Sequence, residues 1–123
     1  MKRVLVTGGA GFIGSNFIHW LLRQEPEVRI VNLDALTYAG SLENLNGLPD
    51  ESRHTFIQGS ICDRQLIDRV FADHNIDTVI HFAAESHVDR SILNPGVFVD
   101  TNVVGTFNLL EAARRFWLVE KSH

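Results

Sequence analysis

Three glycines near the start of the chain, Gly8, Gly11 and Gly14, have the spacing Gly-x-x-Gly-x-x-Gly and could bind a phosphate. A short apolar run precedes them at residues 4–6, and an apolar pattern with helical spacing begins at residue 12. Gly8 allows a tight turn after the strand, Gly11 allows backbone to approach a pyrophosphate, and Gly14 allows the helix to pack closely. The helix would offer its unpaired N–H groups and positive dipole end to the phosphates. The pattern therefore predicts a dinucleotide-binding turn.

Asp34 supports this interpretation. It ends a second strand-like run at residues 28–33 and follows the last glycine by about twenty residues, where a carboxylate accepts hydrogen bonds from ribose hydroxyls. Its negative charge would repel a 2'-phosphate, so NAD is favoured over NADP. Glycine-rich turns are common, and Asp34 alone could be a turn or cap residue. The strand before, the helix after and the carboxylate at this distance together favour a cofactor site.

The composition indicates one soluble domain in its 123 residues. The formal net charge of -4 and the lack of a basic patch argue against a nucleic-acid partner. No apolar run reaches the roughly 18 residues that a membrane span needs, so we expect no membrane partner. Cys62 is the single cysteine, which excludes an intrachain disulfide and favours a reducing compartment. We therefore expect a cytoplasmic protein.

Strand-like and helix-like runs alternate between residues 4 and 82, which predicts an α/β fold of the Rossmann type. We expect a doubly wound parallel sheet of about four strands in the order 3-2-1-4, with strand four as an unpaired edge. The predicted strands are residues 4–7, 28–33, 55–58 and 78–82. The predicted helices are 12–23, one capped by Asp63, and a long one from Pro95 to about Trp117, with a long loop at 35–54 and a short helix begun by Ser41. Gly105 inside the long helix indicates close packing or ligand approach.

The string His-Phe-Ala-Ala-Glu-Ser-His-Val-Asp-Arg-Ser at residues 81–91 resembles that of the dTDP-glucose 4,6-dehydratases. These enzymes belong to the extended short-chain dehydrogenase/reductases, whose nucleotide motif resembles residues 7–14. Residues 34–40 and 100–106 add to the similarity, which runs from Lys2 to about Trp117. Related epimerases carry different residues after strand four. The resemblance implies a cofactor-binding portion of such an enzyme, with NAD as cofactor.

The resemblance also implies a set of cofactor contacts. Phe12 and Ile13 would lie over the pyrophosphate, and Ser60 and Ile61 would meet the adenine. The adenosine ribose would be surrounded by Asp34, Ala35, Leu36 and Thr37. The nicotinamide side would be contacted by Phe82, Ala83, Ala84, Glu85 and Ser86. Thr101 would approach the cofactor from the long helix. Ser86 would also reach the sugar nucleotide. The family usually has aspartate where this chain has Ser60, so adenine binding could be looser, or Ser60 is simply a turn residue.

Several groups that the family needs for catalysis are not found in these 123 residues. The family oxidises C4 of the sugar, eliminates water across C5 and C6, and returns the hydride to C6, using a Tyr-x-x-x-Lys pair. Here the only tyrosine is Tyr38, and Leu42 stands four residues later. The family's Asp-Glu pair follows strand five, which we expect to lie beyond this chain. We therefore expect no catalytic residues, an incomplete domain over residues 1–123, and no sugar-binding domain; the dTDP-sugar would bind in the complete family member.

The predicted incomplete sheet has a further consequence. An edge strand and helix surfaces that later elements would cover should be exposed, so we expect self-association through them. Two alternatives remain open: a noncatalytic NAD-binding or assembly module, and a fragment of another NAD-dependent sugar-nucleotide epimerase or dehydratase.

Four potential metal ligands stand near strand four: His81, Glu85, His87 and Asp89. On a strand end followed by a loop, their side chains should point in different directions, so we expect no metal site. His81 within an apolar strand is more typical of a hydrogen-bonded core residue.

Overall fold

The computed structural model describes residues 2–36, 42–82 and 104–119. Its elements are four strands, three α-helices and two short 3-10 helices. The strands are β1 (Arg3–Thr7), β2 (Arg29–Asp34), β3 (His54–Gln58) and β4 (Thr78–His81). The helices are α1 (Phe12–Gln24), α2 (Arg64–His74) and α3 (Thr106–Ala113), which continues as a π-helical segment over Arg114–Val119; the 3-10 helices span Leu42–Leu45 and Glu51–Arg53.

The strands form one parallel sheet in the order β3-β2-β1-β4, which confirms the predicted order. Val4 is in register with Ile30 on one side and with Thr78 on the other. Within the described residues β4 pairs only with β1, so one edge of the sheet is open there. The predicted doubly wound α/β fold is confirmed.

Helices cover both faces of the sheet. Because neighbouring residues of a strand point to opposite faces, each strand contributes side chains to two core clusters. Val4 and Val6 of β1 lie in a cluster on the α1 side, whereas Leu5 lies in the cluster on the α2 and α3 side. The first cluster also contains Ile18, Leu21, Leu22, Ile30 and Leu45; the second also contains Val31, Leu33, Ile67, Phe71 and Leu109. This two-sided burial explains why the two central strands, β1 and β2, are largely apolar and almost fully buried.

The first two helices begin and end close to their predicted positions. Helix α1 ends at Gln24, one residue before the C-cap Glu25 and two before Pro26. The predicted capping role of Asp63 is confirmed, because its side chain accepts a 3.2 Å hydrogen bond from the Leu66 N–H. The left-handed backbone of Asn75, with φ 51°, follows the last residue of α2. These local signals are therefore sufficient to delimit both helices.

The loop and the last helix show smaller differences from the prediction. The predicted short helix is a 3-10 helix over Leu42–Leu45, and a second one precedes β3; Ser41 itself lies outside the described residues. The part of the long helix near Pro95 also lies outside them. Helical structure was predicted to end at about Trp117, and it continues two residues further, through the π-helical segment Arg114–Val119.

Gly105 allows close packing between the last helix and Ile61. Close packing was one of the two explanations predicted for this glycine, the other being approach of a ligand. A Cβ atom at this position would lie 2.3 Å from Cδ1 of Ile61. The helix is further attached by Asn108, whose amide donates to the Ile61 carbonyl at 2.9 Å. The Arg115 guanidinium also pairs with Asp68 of α2. Among the described helices, none is both long and apolar enough to cross a membrane.

Candidate functional site

The glycine turn joins the carboxyl end of β1 to the start of α1. Gly8 has φ 73°, a left-handed conformation that favours glycine. Its N–H donates to the Leu33 carbonyl at 2.9 Å, and its own carbonyl accepts from the Gly11 N–H at 3.2 Å. The tight turn predicted for Gly8 is thus present.

Gly14 allows the closest backbone approach of the turn. A Cβ atom there would lie 2.4 Å from the Gly8 carbonyl oxygen and 2.9 Å from the Gly9 Cα atom. The close packing predicted for Gly14 is present, although its neighbour is the backbone of the turn rather than the strand itself. Because backbone cannot rotate away as a side chain can, any larger residue would distort the turn.

Gly9 is a second close contact, and the glycine spacing did not identify it. A Cβ atom at residue 9 would lie 2.2 Å from Oδ1 of Asn32, which is completely buried in β2. The Asn32 amide nitrogen lies 3.3 Å from Nε2 of His54, and burial lowers the pKa of His54. Asn32 Oδ1 has no hydrogen-bond partner within the described ranges. The Gly8-Gly9 doublet was the only sequence signal for this contact.

The amino end of α1 is open. Gly11 is the N-cap with φ −75° and ψ 173°, and no side chain in the described part of the chain accepts a hydrogen bond at this cap. The first N–H groups of an α-helix have no partner within the helix, so they are available to an anion. Phe12 and Ile13 stand beside them with 78% and 69% of their surface exposed. An uncapped helix end next to exposed apolar surface fits a dinucleotide.

Asp34 lies directly beside this turn. Its Oδ2 accepts from the Ala10 N–H at 2.9 Å, and its Oδ1 accepts from the Leu36 N–H at 2.8 Å. The residue is only 9% exposed. Each oxygen of a carboxylate can accept a second hydrogen bond, so Asp34 can bind the turn and ribose hydroxyls together. Ala35 is exposed, and Leu36 has φ 57°; Thr37 lies outside the described residues.

The two residues expected near the adenine follow β3. Ser60 is exposed, and its hydroxyl accepts from the Cys62 N–H at 3.0 Å, a local turn contact that agrees with the simpler interpretation of this serine. Ile61 is 5% exposed and belongs to the core cluster on the α2 and α3 side. The Ile61 side chain therefore supports the sheet and α3, and its contact with adenine stays a prediction.

His81 connects three elements at the end of β4. Its Nδ1 lies 2.5 Å from the Thr7 hydroxyl, and its Nε2 lies 3.2 Å from the Thr106 hydroxyl of α3. Burial lowers the pKa of His81, so the neutral imidazole is favoured. His81 is thus a hydrogen-bonded residue of the fold, as predicted.

The nicotinamide side of the predicted site begins at Phe82. Its N–H donates to the Thr7 carbonyl at 2.8 Å, and its ring lies 5.5 Å from that of Phe17 in α1. The remaining predicted contacts, Ala83, Ala84, Glu85, Ser86 and Thr101, lie outside the described residues, as do His87 and Asp89. Within the described ranges no cluster of His, Cys, Asp and Glu side chains could hold a metal ion.

Asn44 also contacts the glycine turn, although no sequence motif identifies it as a site residue. Its side-chain amide donates to the Ala10 carbonyl at 2.7 Å. The contact bridges residues 34 positions apart in the chain. In the sequence, Asn44 was only one of several turn-forming residues between β2 and β3.

Comparison with known proteins gives a consistent result. A family model described as GDP-mannose 4,6 dehydratase matches residues 5–123. A dTDP-glucose 4,6-dehydratase of Neisseria meningitidis serogroup B is 56% identical over 117 residues, which cover 95% of this chain and 33% of the relative. The chain thus spans about a third of the length of such relatives.

Solved structures agree with these relatives. The dTDP-glucose 4,6-dehydratase of Streptomyces venezuelae, crystallised with NAD and TYD bound, has a TM-score of 0.83 and 48% identity, over 91% of this chain and 35% of that one. UDP-glucose 4-epimerase of Thermotoga maritima, crystallised with UDP-glucose, also has a TM-score of 0.83, with 34% identity over 94% of this chain and 35% of that one. The fold is therefore common to dehydratases and epimerases, while the higher identity is to the dehydratase. On the match to residues 5–123, the chain belongs to the GDP-mannose 4,6 dehydratase family, and within it is similar to the amino-terminal portion of the dTDP-glucose 4,6-dehydratases.

Proposed function

We propose that this chain is the NAD-binding portion of a dTDP-glucose 4,6-dehydratase. The observation that carries the proposal is the open amino end of α1 beside the Asp34 carboxylate, which accepts from Ala10 of the glycine turn. An anion is favoured at the helix end, and ribose hydroxyls are favoured at the carboxylate. A dinucleotide contains both groups.

The chain's own residues fit the adenosine and pyrophosphate half of NAD. The α1 N–H groups would bind the pyrophosphate, and Gly11 leaves its approach free of a side chain. Asp34 would accept from the ribose and repel the 2'-phosphate of NADP. Phe12 and Ile13 supply exposed apolar surface, and the exposed Ser60 supplies a weak acceptor towards the adenine. Bound NAD would supply the hydride acceptor that sugar oxidation requires.

The complete reaction needs groups beyond these 123 residues. The dehydratase relatives are about three times as long as the chain, and the single tyrosine, Tyr38, has Leu42 four residues later. These 123 residues would thus supply the cofactor-binding domain of the enzyme, working in the cytoplasm. The dTDP-sugar would bind mainly to parts of the complete enzyme outside these 123 residues, with Ser86 as its contact here.

Isothermal calorimetry with NAD and NADP tests the cofactor assignment. The chain should bind NAD in preference to NADP, because Asp34 carries a negative charge next to the ribose. Asp34→Asn should weaken NAD binding by about tenfold to a hundredfold, the typical effect of losing a hydrogen bond to a charged group. Asp73→Asn is the matched control, since Asp73 is an exposed carboxylate near the end of α2.

Two results would contradict the assignment. One is equal or tighter binding of NADP by the unchanged chain. The other is unchanged NAD affinity in Asp34→Asn while thermal unfolding shows that the variant is folded. Reading the coding sequence beyond His123 for a frame with Tyr-x-x-x-Lys separates a dehydratase portion from the alternative, a noncatalytic NAD-binding module.

Self-association is the second part of the proposal. Val104, Phe107 and Leu110 of the α3 region are 42%, 55% and 66% exposed, and Leu118 is 71% exposed. Large exposed apolar patches are rare on stable monomers, and within the described residues β4 pairs only with β1, which leaves its other side open there. Sedimentation at increasing concentration should show dimers or larger species. Sedimentation as a monomer at every concentration would contradict this part alone.

A further inference from the structure

The 3-10 helix Leu42–Leu45 is attached to both the glycine turn and α1. The Asn44 side-chain amide donates to the Ala10 carbonyl at 2.7 Å. The Asn44 backbone carbonyl accepts from Nε2 of His19, which lies on α1, at 3.2 Å. Leu45 is 8% exposed and belongs to the core cluster on the α1 side. Asn44 is therefore held at a fixed distance from the turn by its neighbours.

Asn44 and Asp34 hold Ala10 from its two sides. The Ala10 N–H donates to Asp34 Oδ2 at 2.9 Å, while the Ala10 carbonyl accepts from Asn44. The next N–H, of Gly11, donates to the Gly8 carbonyl at 3.2 Å. The peptide group between Ala10 and Gly11 is planar, so the Asn44 bond to its oxygen also sets the direction of the Gly11 N–H. The orientation of the Ala10–Gly11 peptide group is therefore set by hydrogen bonds at both its oxygen and its N–H.

This orientation matters at an anion site. A carbonyl oxygen is the negative end of the peptide dipole and would repel a phosphate, whereas N–H groups attract it. The bond from Asn44 keeps the Ala10 oxygen engaged within the protein. Gly11, whose backbone follows this peptide, is also the N-cap of α1. The Ala10–Gly11 peptide therefore controls how the helix end is presented.

We infer that Asn44 is a positioning residue for the anion site at the amino end of α1, acting through the Ala10–Gly11 peptide. The inference rests on the proposed binding of NAD at that site. Asn44 is assigned no contact with the cofactor; its role requires a donor at this position, which asparagine supplies and aspartate, of the same shape, does not.

Asn44→Asp and Asn44→Ala test the inference, with Asn46→Asp as the matched control. Asn46 is exposed, two residues further along the chain. Binding of NAD and ADP should weaken by about tenfold in Asn44→Ala, the size expected for one hydrogen bond, and by more in Asn44→Asp because the new charge repels the pyrophosphate. Adenosine, which lacks phosphate, should bind as it does to the unchanged chain in an NMR titration. Asn46→Asp should leave all three affinities unchanged.

The outcomes separate this inference from the proposed function. Binding of NAD and ADP by folded Asn44→Ala as tightly as by the unchanged chain would overturn the inference alone. An equal loss of affinity for adenosine and ADP would also overturn it, because Asn44 would then support the whole domain rather than the phosphate site. Failure of the unchanged chain to bind either nucleotide would refute the proposed function, and this inference with it. Thermal unfolding of each variant identifies those that are folded.

Discussion

The two ends of α1 are treated in opposite ways. At its carboxyl end, the Arg53 guanidinium donates to the carbonyls of Leu22 at 2.8 Å, Glu25 at 2.8 Å and Val28 at 3.1 Å. At its amino end, no side chain of the described residues caps the helix. A helix leaves unpaired backbone groups at both ends, so the two ends of α1 differ only in whether a side chain pairs with those groups.

The amino end of α2 shows that an open end is not the rule in this fold. Asp63 caps it with a side-chain oxygen, and Asp77 likewise accepts from the backbone N–H groups of Lys2 and Arg3 at the start of β1, both at 3.1 Å. Side chains therefore satisfy backbone groups where stability alone is required. Of α1 and α2, the helix whose start is left open is α1, beside Asp34, where a ligand can satisfy its N–H groups.

The largest effect should come from Gly14→Ala, which breaks the open end of α1. The added Cβ would overlap the Gly8 carbonyl oxygen, which is backbone and cannot move aside. Overpacking typically costs about 1–3 kcal/mol, and we expect the upper part of this range together with loss of measurable NAD binding. Urea unfolding and calorimetry measure the two effects.

Gly105→Ala is the control for this substitution. Its Cβ would meet side-chain atoms of Ile61, Cδ1 at 2.3 Å and Cγ1 at 2.4 Å, rather than backbone, and alanine favours a helix by up to about 1 kcal/mol over glycine. The variant should lose less stability than Gly14→Ala and keep its NAD affinity. A Gly14→Ala variant with normal stability and affinity would contradict the role given to the turn.

The next largest effect should come from Arg53→Ala, which opens the other end of α1. Three carbonyls lose a charged donor at once, and we expect a loss of about 2–3 kcal/mol, since hydrogen bonds to charged groups each contribute about 1.5–3 kcal/mol and are not additive. NAD affinity should stay within about twofold. Arg29→Ala, at the exposed first position of β2, should leave stability nearly unchanged.

A change of NAD affinity as large as the change in stability would contradict the separation between the two ends. Calorimetry measures the change in NAD affinity, and urea unfolding measures the change in stability. The comparison is sharpest when Arg53→Ala and Gly14→Ala are measured at the same temperature and salt concentration.

The sequence predicted the open end of α1 better than the closed one. Gly8, Gly14 and Asp34 could be placed because turn, helix and strand signals are local and their spacing is short. Arg53 could not, because its carbonyl partners lie 25 to 31 residues away. Gly9 and Asn44 were missed for the same reason: each depends on a contact that exists only after β1, β2 and α1 have come together.

The fold itself was predictable from alternation of strand and helix patterns. The placement of Ile61 could not be predicted in this way. An apolar residue after a strand can face a ligand or the core, and the sequence pattern does not decide between the two. In the structure its side chain is buried beneath Gly105.

The smallest effect should be a pH dependence that differs between the two edges of the sheet. At the carboxyl edge, burial lowers the pKa of His81 below the ordinary 6.5. The unfolded chain then takes up a proton first as the pH falls, so stability falls between about pH 6.5 and the lower pKa of the folded state. His54, at the start of β3 and therefore at the amino edge, also has a pKa lowered by burial and contributes in the same direction.

At the amino edge Asp77 adds an effect at lower pH. Burial acts to raise its pKa, but hydrogen bonds from Thr78 and from the backbone of Arg3 and Lys2 outweigh it, and the pKa lies below the ordinary 3.8. Its contribution is present above about pH 3.8 and is lost as the pH falls through the folded-state pKa. His81→Gln should flatten the upper part of the stability curve, and Asp77→Asn the lower part, in urea titrations from pH 7 to 3. Loss of the upper part in Asp77→Asn would contradict this assignment.

Trp117 provides a way to observe docking of the last helix without any label. Its indole N–H donates to the Ile76 carbonyl at 2.6 Å, and its ring lies 6.0 Å from Phe71. Its emission should therefore be blue-shifted while the helix is docked and move to longer wavelength when the helix separates from α2. Trp20, 49% exposed on α1, supplies a background signal, and the Trp20→Phe variant removes it and leaves Trp117 as the single tryptophan. The intact fold thereby has an optical signal that distinguishes detachment of its last helix from unfolding of the sheet.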